Sequence, residues 1–159
     1  DFRGTDGPGG GRFRDPAVLA EQVRGAWPHD AVRPFLVCTG GEPLLQLDAE
    51  LIAALHAQGF EIAVETNGTR PAPPGIDWLC VSPKAGAVLV QTSGDELKLV
   101  YPQAGASPKS FAGLGFAHFL LQPMDGPDLA ANTAAAIAYC KAHPRWRISL
   151  QTHKLLGIP

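Results

Sequence analysis

The stretch Phe35-Leu36-Val37-Cys38-Thr39-Gly40-Gly41-Glu42-Pro43-Leu44-Leu45 decides how the rest of the chain is read. Four apolar residues describe a buried strand, which stops at a threonine, two glycines and a carboxylate before a proline opens a new helical turn. A plain turn needs one glycine for a positive φ. Two adjacent glycines at a strand end also strip the Cβ atoms from a surface, so a ligand can approach the backbone itself. Glu42 places a negative charge beside them. Taken alone, the stretch reads equally well as a strand-to-helix turn with an exposed glutamate.

On the N-terminal side, Asp15-Pro16 supplies an N-cap and a helix-opening proline. The stripe Leu19, Val23, Ala26 and Trp27 predicts a helix that Pro28 closes. On the C-terminal side, Asp48 predicts a second helix cap, with Leu47 and Ile52 spaced as a hydrophobic staple. Leu51, Ile52 and Leu55 form its inward stripe and Gly59 ends it. Short strands follow at residues 60–64, 78–81, 96–100, 118–121 and 147–150, with a loop over 85–95. One late helix is capped by Asn132 or Thr133, turns Ala136, Ile137 and Cys140 inward, and closes at Pro144.

Strands alternate with helices early, and their near-continuous apolar runs indicate a parallel sheet covered on both faces. Helices then become scarce, so some crossovers are expected to be loops. The expected fold is α/β: a partial, incomplete parallel barrel or curved open sheet in a single domain over residues 1–159.

Composition narrows the function classes. With 45% hydrophobic and 18% charged residues the chain is globular in type, and no apolar run is long enough to cross a bilayer. A formal charge of -2 without a Lys/Arg stripe argues against nucleic acid as a partner. No apolar signal segment opens the chain, so a cytoplasmic setting is expected. The chain starts at Asp1 and Met124 is its only methionine, so a preceding segment is expected as well. Cys38, Cys80 and Cys140 are far apart in sequence and lack metal-ligand spacing; they read as small hydrophobes in apolar segments.

Five polar clusters each follow a predicted strand: Thr39 to Glu42, Glu65 to Asn67, Ser82 to Lys84, Gln122 to Asp125, and Gln151 to His153. If the strands are parallel, these clusters converge on the carboxyl-end rim, where α/β proteins bind ligands. Lys84 suits a carboxylate, Glu42 an ammonium, and Asn67, Ser82 and Gln122 suit ribose hydroxyls, with Met124 as an adaptable apolar surface. S-adenosylmethionine carries all of these groups. His153 is a further candidate at a strand end. The competing reading makes Lys84 and Glu65 solvated charges and Met124 core filler.

At Thr39-Gly40-Gly41-Glu42-Pro43 the chain resembles the radical S-adenosylmethionine superfamily, whose Gly-Gly-Glu motif binds the methionyl end of that cofactor. The stretches Glu65-Thr66-Asn67-Gly68, Ser82-Pro83-Lys84, Glu96-Leu97-Lys98, Gln122-Pro123-Met124-Asp125, Gln151-Thr152-His153-Lys154 and Gly157-Ile158-Pro159 narrow the resemblance to the 7-carboxy-7-deazaguanine synthase family of the queuosine pathway. The resemblance covers essentially the whole chain. It implies a carbon–nitrogen lyase that contracts 6-carboxy-5,6,7,8-tetrahydropterin with loss of ammonia, using S-adenosylmethionine, a 4Fe-4S cluster and Mg2+. It also implies a reduced α/β barrel, homodimers, and an electron donor such as a flavodoxin or ferredoxin.

By the same resemblance, Gly40, Gly41, Glu42, Asn67, Ser82, Pro83, Lys84, Gln122, Pro123, Met124 and Asp125 hold S-adenosylmethionine, while Thr39, His153 and the terminal carboxylate of Pro159 face the pterin. No catalytic acid or base and no metal ligand is assigned. The cluster and Mg2+ ligands are expected outside this chain, together with the first barrel strand. Two alternatives stand beside this one: a fragment that binds S-adenosylmethionine or a purine without radical chemistry, and another radical enzyme such as an activase of glycyl radical enzymes.

Overall fold

The structure, a computed structural model, describes residues 10–28 and 32–158. The expectations for the opening run and for Pro159 fall outside those residues. The chain divides into two compact units, Asp1–Val64 with Pro73–Asp77, and Glu65–Ala72 with Trp78–Pro159.

In the first unit, Asp15 caps α1 (Pro16–Gly25) by accepting a hydrogen bond from the Ala17 N–H at 2.9 Å. The buried residue of α1 is Ala20, and the expected stripe residue Ala26 is exposed; a small side chain lets α1 lie close to α2 (Ala49–Ala57). Asp48 caps α2 through the Leu51 N–H at 2.9 Å, and Leu47 and Ile52 are both buried, as a staple requires. Strand β1 (Phe35–Cys38) pairs in parallel with β2 (Glu61–Thr66), Phe35 opposite Glu61 and Cys38 opposite Val64. The expectation of a fully buried β1 is corrected: burial alternates along it, leaving Phe35 47% and Val37 44% exposed. Asp77 ties this unit together. Its Oδ2 accepts from the Ile62 N–H at 2.8 Å and pairs with His56 Nε2 at 3.0 Å.

The second unit holds β3 (Trp78–Val81), β4 (Ser93–Tyr101), α3 (Pro108–Phe111), β5 (Gly115–Pro123), α4 (Leu129–Ala142), β6 (Trp146–Ile148) and α5 (Thr152–Leu156). In the second unit the strands pair in chain order, β3-β4-β5-β6, and these pairings, like that of β1 with β2, are parallel. The fold is thus an open, all-parallel α/β arrangement, as the sequence led us to expect. The crossovers from β2 to β3 and from β3 to β4 contain no helix.

Alternation along β3, β4 and β5 sorts the residues onto two faces. Leu79, Val81, Leu97, Leu99, Phe119 and Leu121 are buried on the face where α4 packs against β5 and β6, and Ala136 of α4 is fully buried there. Phe119 is central: its ring meets Trp146 edge-on at 5.2 Å and Phe116 at 6.3 Å, and the Arg145 guanidinium lies 4.1 Å from its centroid.

Several boundaries differ from expectation. Strand β4 begins at Ser93 within the expected loop, and β2 and β5 extend to Thr66 and Pro123. Ladder bonding continues past the apolar residues because it is made by the backbone and does not depend on side-chain polarity. Helix α4 starts at Leu129 after Asp128, not at Asn132 or Thr133, and Ile137 is 42% exposed. The segment after β6 closes into α5, ended by Gly157 at φ 64°.

Candidate functional site

Two sequence motifs are fastened to each other by backbone. The Ser82 N–H donates to the Thr66 carbonyl at 2.7 Å, so Ser82-Pro83-Lys84 emerges beside Glu65-Thr66-Asn67-Gly68. The turn after β2 stabilises itself: Thr66 Oγ1 accepts from the Gly68 N–H at 3.1 Å, and Asn67 Oδ1 accepts from the Thr69 N–H at 2.8 Å. Gly68, at φ 76°, then offers its carbonyl to the N–H groups of Val90 and Gln91 at 2.8 and 3.0 Å, which anchors the loop leading into β4.

On this base Lys84 Nζ donates to Ser82 Oγ at 3.0 Å. The Ala87 N–H donates to the Lys84 carbonyl at 3.1 Å, and the Ala85 N–H donates to Gln103 Oε1 at 2.8 Å. Asn67, Pro83 and Lys84 line one cavity of about 80 Å³, walled by Gly86, Val88, Leu89 and Phe111 among others. That volume takes one group of a ligand and not a whole nucleoside.

The Gln122 to Asp125 cluster belongs to the end of β5. Gln122 and Pro123 are in the ladder, in register with Val100 and Tyr101, which corrects the expectation that the cluster follows the strand. The Met124 N–H donates to the Tyr101 carbonyl at 2.8 Å, and Asn132 Nδ2 donates to the Met124 carbonyl at 2.9 Å. Asn132, expected as a helix cap, instead reaches back from the first turn of α4. Asp125 pairs with Lys154 of α5, and that hydrogen bond, with one from the Gly126 N–H, holds its carboxyl below the usual range. His153 lies on α5 and is exposed, one residue before the lysine that makes this bridge.

Residues 39–42 belong to the first unit. Gly40, at φ 121°, occupies a conformation that favours glycine, and a Cβ at Gly40 or Gly41 meets nothing within 4 Å. The open backbone inferred from the sequence is therefore present there, and Thr39 is exposed. Glu42 has a structural duty as well: its Oε1 accepts from the Leu44 N–H at 3.0 Å and caps the single 3-10 turn Pro43–Leu45. Pro159 lies outside the described residues.

Of the expected site residues, the structure gathers Asn67, Pro83 and Lys84 around one cavity and joins Ser82 to Lys84. The cavity lining does not include Gln122, Pro123, Met124, Asp125 or His153. Sequence reasoning missed Lys154 as the partner of Asp125 and Lys98 as the partner of Glu65. A pairing between residues 33 positions apart leaves no local signature, although Glu96-Leu97-Lys98 shows the period-2 alternation that puts both charges on one face.

No protein-family model matches the chain. It is 60% identical over 159 residues to the 7-carboxy-7-deazaguanine synthase of Bordetella pertussis, spanning all of this chain and 76% of that protein. The Caulobacter vibrioides synthase is 62% identical with the same coverage. The synthase of Bacteroides thetaiotaomicron is 41% identical over 157 residues, 99% of this chain and 80% of that one. Among solved structures, QueE from Escherichia coli superposes with a TM-score of 0.64 at 27% identity; the match covers 84% of this chain and 61% of that one.

Proposed function

The chain belongs to the 7-carboxy-7-deazaguanine synthase family, and from that premise we propose that it serves a radical S-adenosylmethionine enzyme converting 6-carboxy-5,6,7,8-tetrahydropterin to 7-carboxy-7-deazaguanine with loss of ammonia. The supporting observation is the Ser82–Thr66 backbone bond, beside which a lysine and an asparagine line one cavity at two strand ends. A flavodoxin or ferredoxin as electron donor, a homodimeric assembly and a cytoplasmic setting belong to the same proposal.

The donor set fits S-adenosylmethionine. Lys84, oriented by Ser82, is a cation for the carboxylate of the amino-acid moiety, and Asn67 beside it offers an amide to the sugar. By the family resemblance Gln122, Pro123, Met124 and Asp125 at the end of β5 are assigned to the same cofactor, as are Gly40, Gly41 and Glu42, whose backbone is open. Thr39, His153 and Pro159 are assigned to the pterin. When bound, the cofactor supplies hydrogen-atom abstraction; the residues here orient the reactants and exclude water.

The cysteines do not fit an iron–sulfur cluster. Cys38, Cys80 and Cys140 lie far apart in sequence and belong to no group of candidate ligands among the described residues, whereas cluster thiolates converge on one site. Among the described residues no group of three or more His, Cys, Asp or Glu could hold a metal ion, so Mg2+ has no fitting site there.

The test is anaerobic assay of the protein purified from its own cells, with reductant, S-adenosylmethionine and the pterin. Formation of 7-carboxy-7-deazaguanine is expected. A preparation that carries a cluster, binds S-adenosylmethionine and forms no product overturns the proposal and favours a binding protein.

A further inference from the structure

The face of β3, β4 and β5 that is not covered by α4 carries a row of ionisable groups. Cys80 stands opposite Glu96, and its Sγ donates to Glu96 Oε1 at 3.3 Å. Glu96 stands opposite His118, whose ring stacks on Trp78 with centroids 5.6 Å apart. Lys98 follows two residues later on the same face and donates to Glu65 Oε1 at 2.7 Å. Ser82, two residues beyond Cys80, continues the row directly into the Lys84 site.

This ion pair has an asymmetry that packing alone does not require. The Lys98 side chain is only 16% exposed, while Glu65 remains 43% exposed. Burial works against the lysine's charged form, but the hydrogen bond to Glu65 and the neighbouring carboxylates outweigh it, so the ammonium persists. Desolvating an ammonium on a sheet face is a poor way to gain stability, because a well-packed apolar pair serves as well. What the ammonium does supply is a fixed position for the Glu65 carboxylate, at the strand end where the Thr66-Asn67-Gly68 turn begins. A fixed, half-open carboxylate is the complement of two adjacent N–H donors. A 2-amino-4-oxopyrimidine ring presents such a pair along one edge.

We propose that Lys98 is a positioning residue that holds the Glu65 carboxylate as the acceptor for the 2-amino, N–H donor edge of the pterin substrate. The inference rests on the pterin reading given above and names its specificity determinant. Glu96, two residues before Lys98 on the same face, adds a charge that favours the ammonium.

Calorimetric titration of the purified natural protein with 6-carboxy-5,6,7,8-tetrahydropterin and with its analogue lacking the 2-amino group tests this directly. The wild type is expected to bind the analogue at least about tenfold more weakly; equal binding overturns the proposal whatever any variant does. In steady state, E65Q is expected to raise KM for the pterin roughly tenfold or more while leaving affinity for S-adenosylmethionine unchanged. K98M reproduces that rise and K98R restores most of the loss. A folded E65Q with wild-type KM, or a K98R no better than K98M, overturns the positioning role. If the wild type neither binds nor converts the pterin, the substrate reading itself has failed, and that outcome is distinct from a wild type that binds both compounds equally.

Discussion

The Ser82 N–H and the Thr66 carbonyl lie 2.7 Å apart, and this bond sets the order of everything at the strand ends of the second unit. It is part of no regular helix or turn. It brings a motif that ends in lysine beside a motif that contains asparagine, and each motif is then locked by its own short bonds.

Gly68 is buried in that arrangement and leaves no room for a side chain. A Cβ there meets Leu89 Cδ1 at 2.6 Å and Val81 Cγ1 at 2.7 Å, on a backbone at φ 76°. Gly68→Ala combines left-handed strain with overpacking and is expected to cost about 2–4 kcal/mol. Denaturant unfolding measures it; a loss below about 1 kcal/mol contradicts this account.

Lys84→Met removes the cation assigned to the cofactor carboxylate while keeping the length of the side chain. Losing one charge-assisted hydrogen bond costs about 1.5–3 kcal/mol, roughly a 10- to 150-fold weaker affinity for S-adenosylmethionine. Because Lys84 is exposed, the melting temperature should hardly move. Calorimetry on both forms decides it, and unchanged affinity removes Lys84 from the site.

Asp77 sets an acid limit on the first unit. Its carboxyl is held below the usual value first by the Ile62 N–H and then by His56. A depressed folded-state pKa contributes stability that is present above the unfolded value, near about pH 4, and is lost progressively as pH falls from there through the folded value. Asp77→Asn should flatten the acid arm of a stability–pH profile; parallel profiles for the two proteins exclude the role.

Phe119→Ala empties the centre of the aromatic cluster and is expected to cost about 3–5 kcal/mol. Arg145→Ala, which removes a cation over the same ring and a 2.6 Å bond to the Ala112 carbonyl, is expected to cost only about 1–2 kcal/mol. Thermal unfolding of both variants should preserve that order.

Cys38, with its thiol pushed up to about 11, should be nearly inert to alkylation at pH 8. Only about 0.1% is then thiolate, against about a quarter of an ordinary cysteine, so reaction should be a few hundredfold slower than that of glutathione. Rapid labelling of Cys38 means that the thiol is not in its apolar setting.

The local signals were legible wherever the physics is local. Asp15 and Asp48 cap their helices, Leu47 and Ile52 are buried as a staple demands, and the parallel arrangement follows from apolar strands separated by helices and loops. Element ends were less legible. Glu65, Thr66, Gln122 and Pro123 lie inside strands because ladder bonding does not depend on side-chain polarity, and α5 forms where a loop was expected.

By itself the sequence determined the polar motifs, their order along the chain and their attachment to strand ends, since these depend on turn chemistry and on residues a few positions apart. Tertiary structure alone decided which motifs meet. Register placed Cys80 against Glu96, the sheet brought Lys98 to Glu65, and α5 carried Lys154 to Asp125. Such pairings arise from the closing of long loops around a buried core, and no short window of sequence contains both partners.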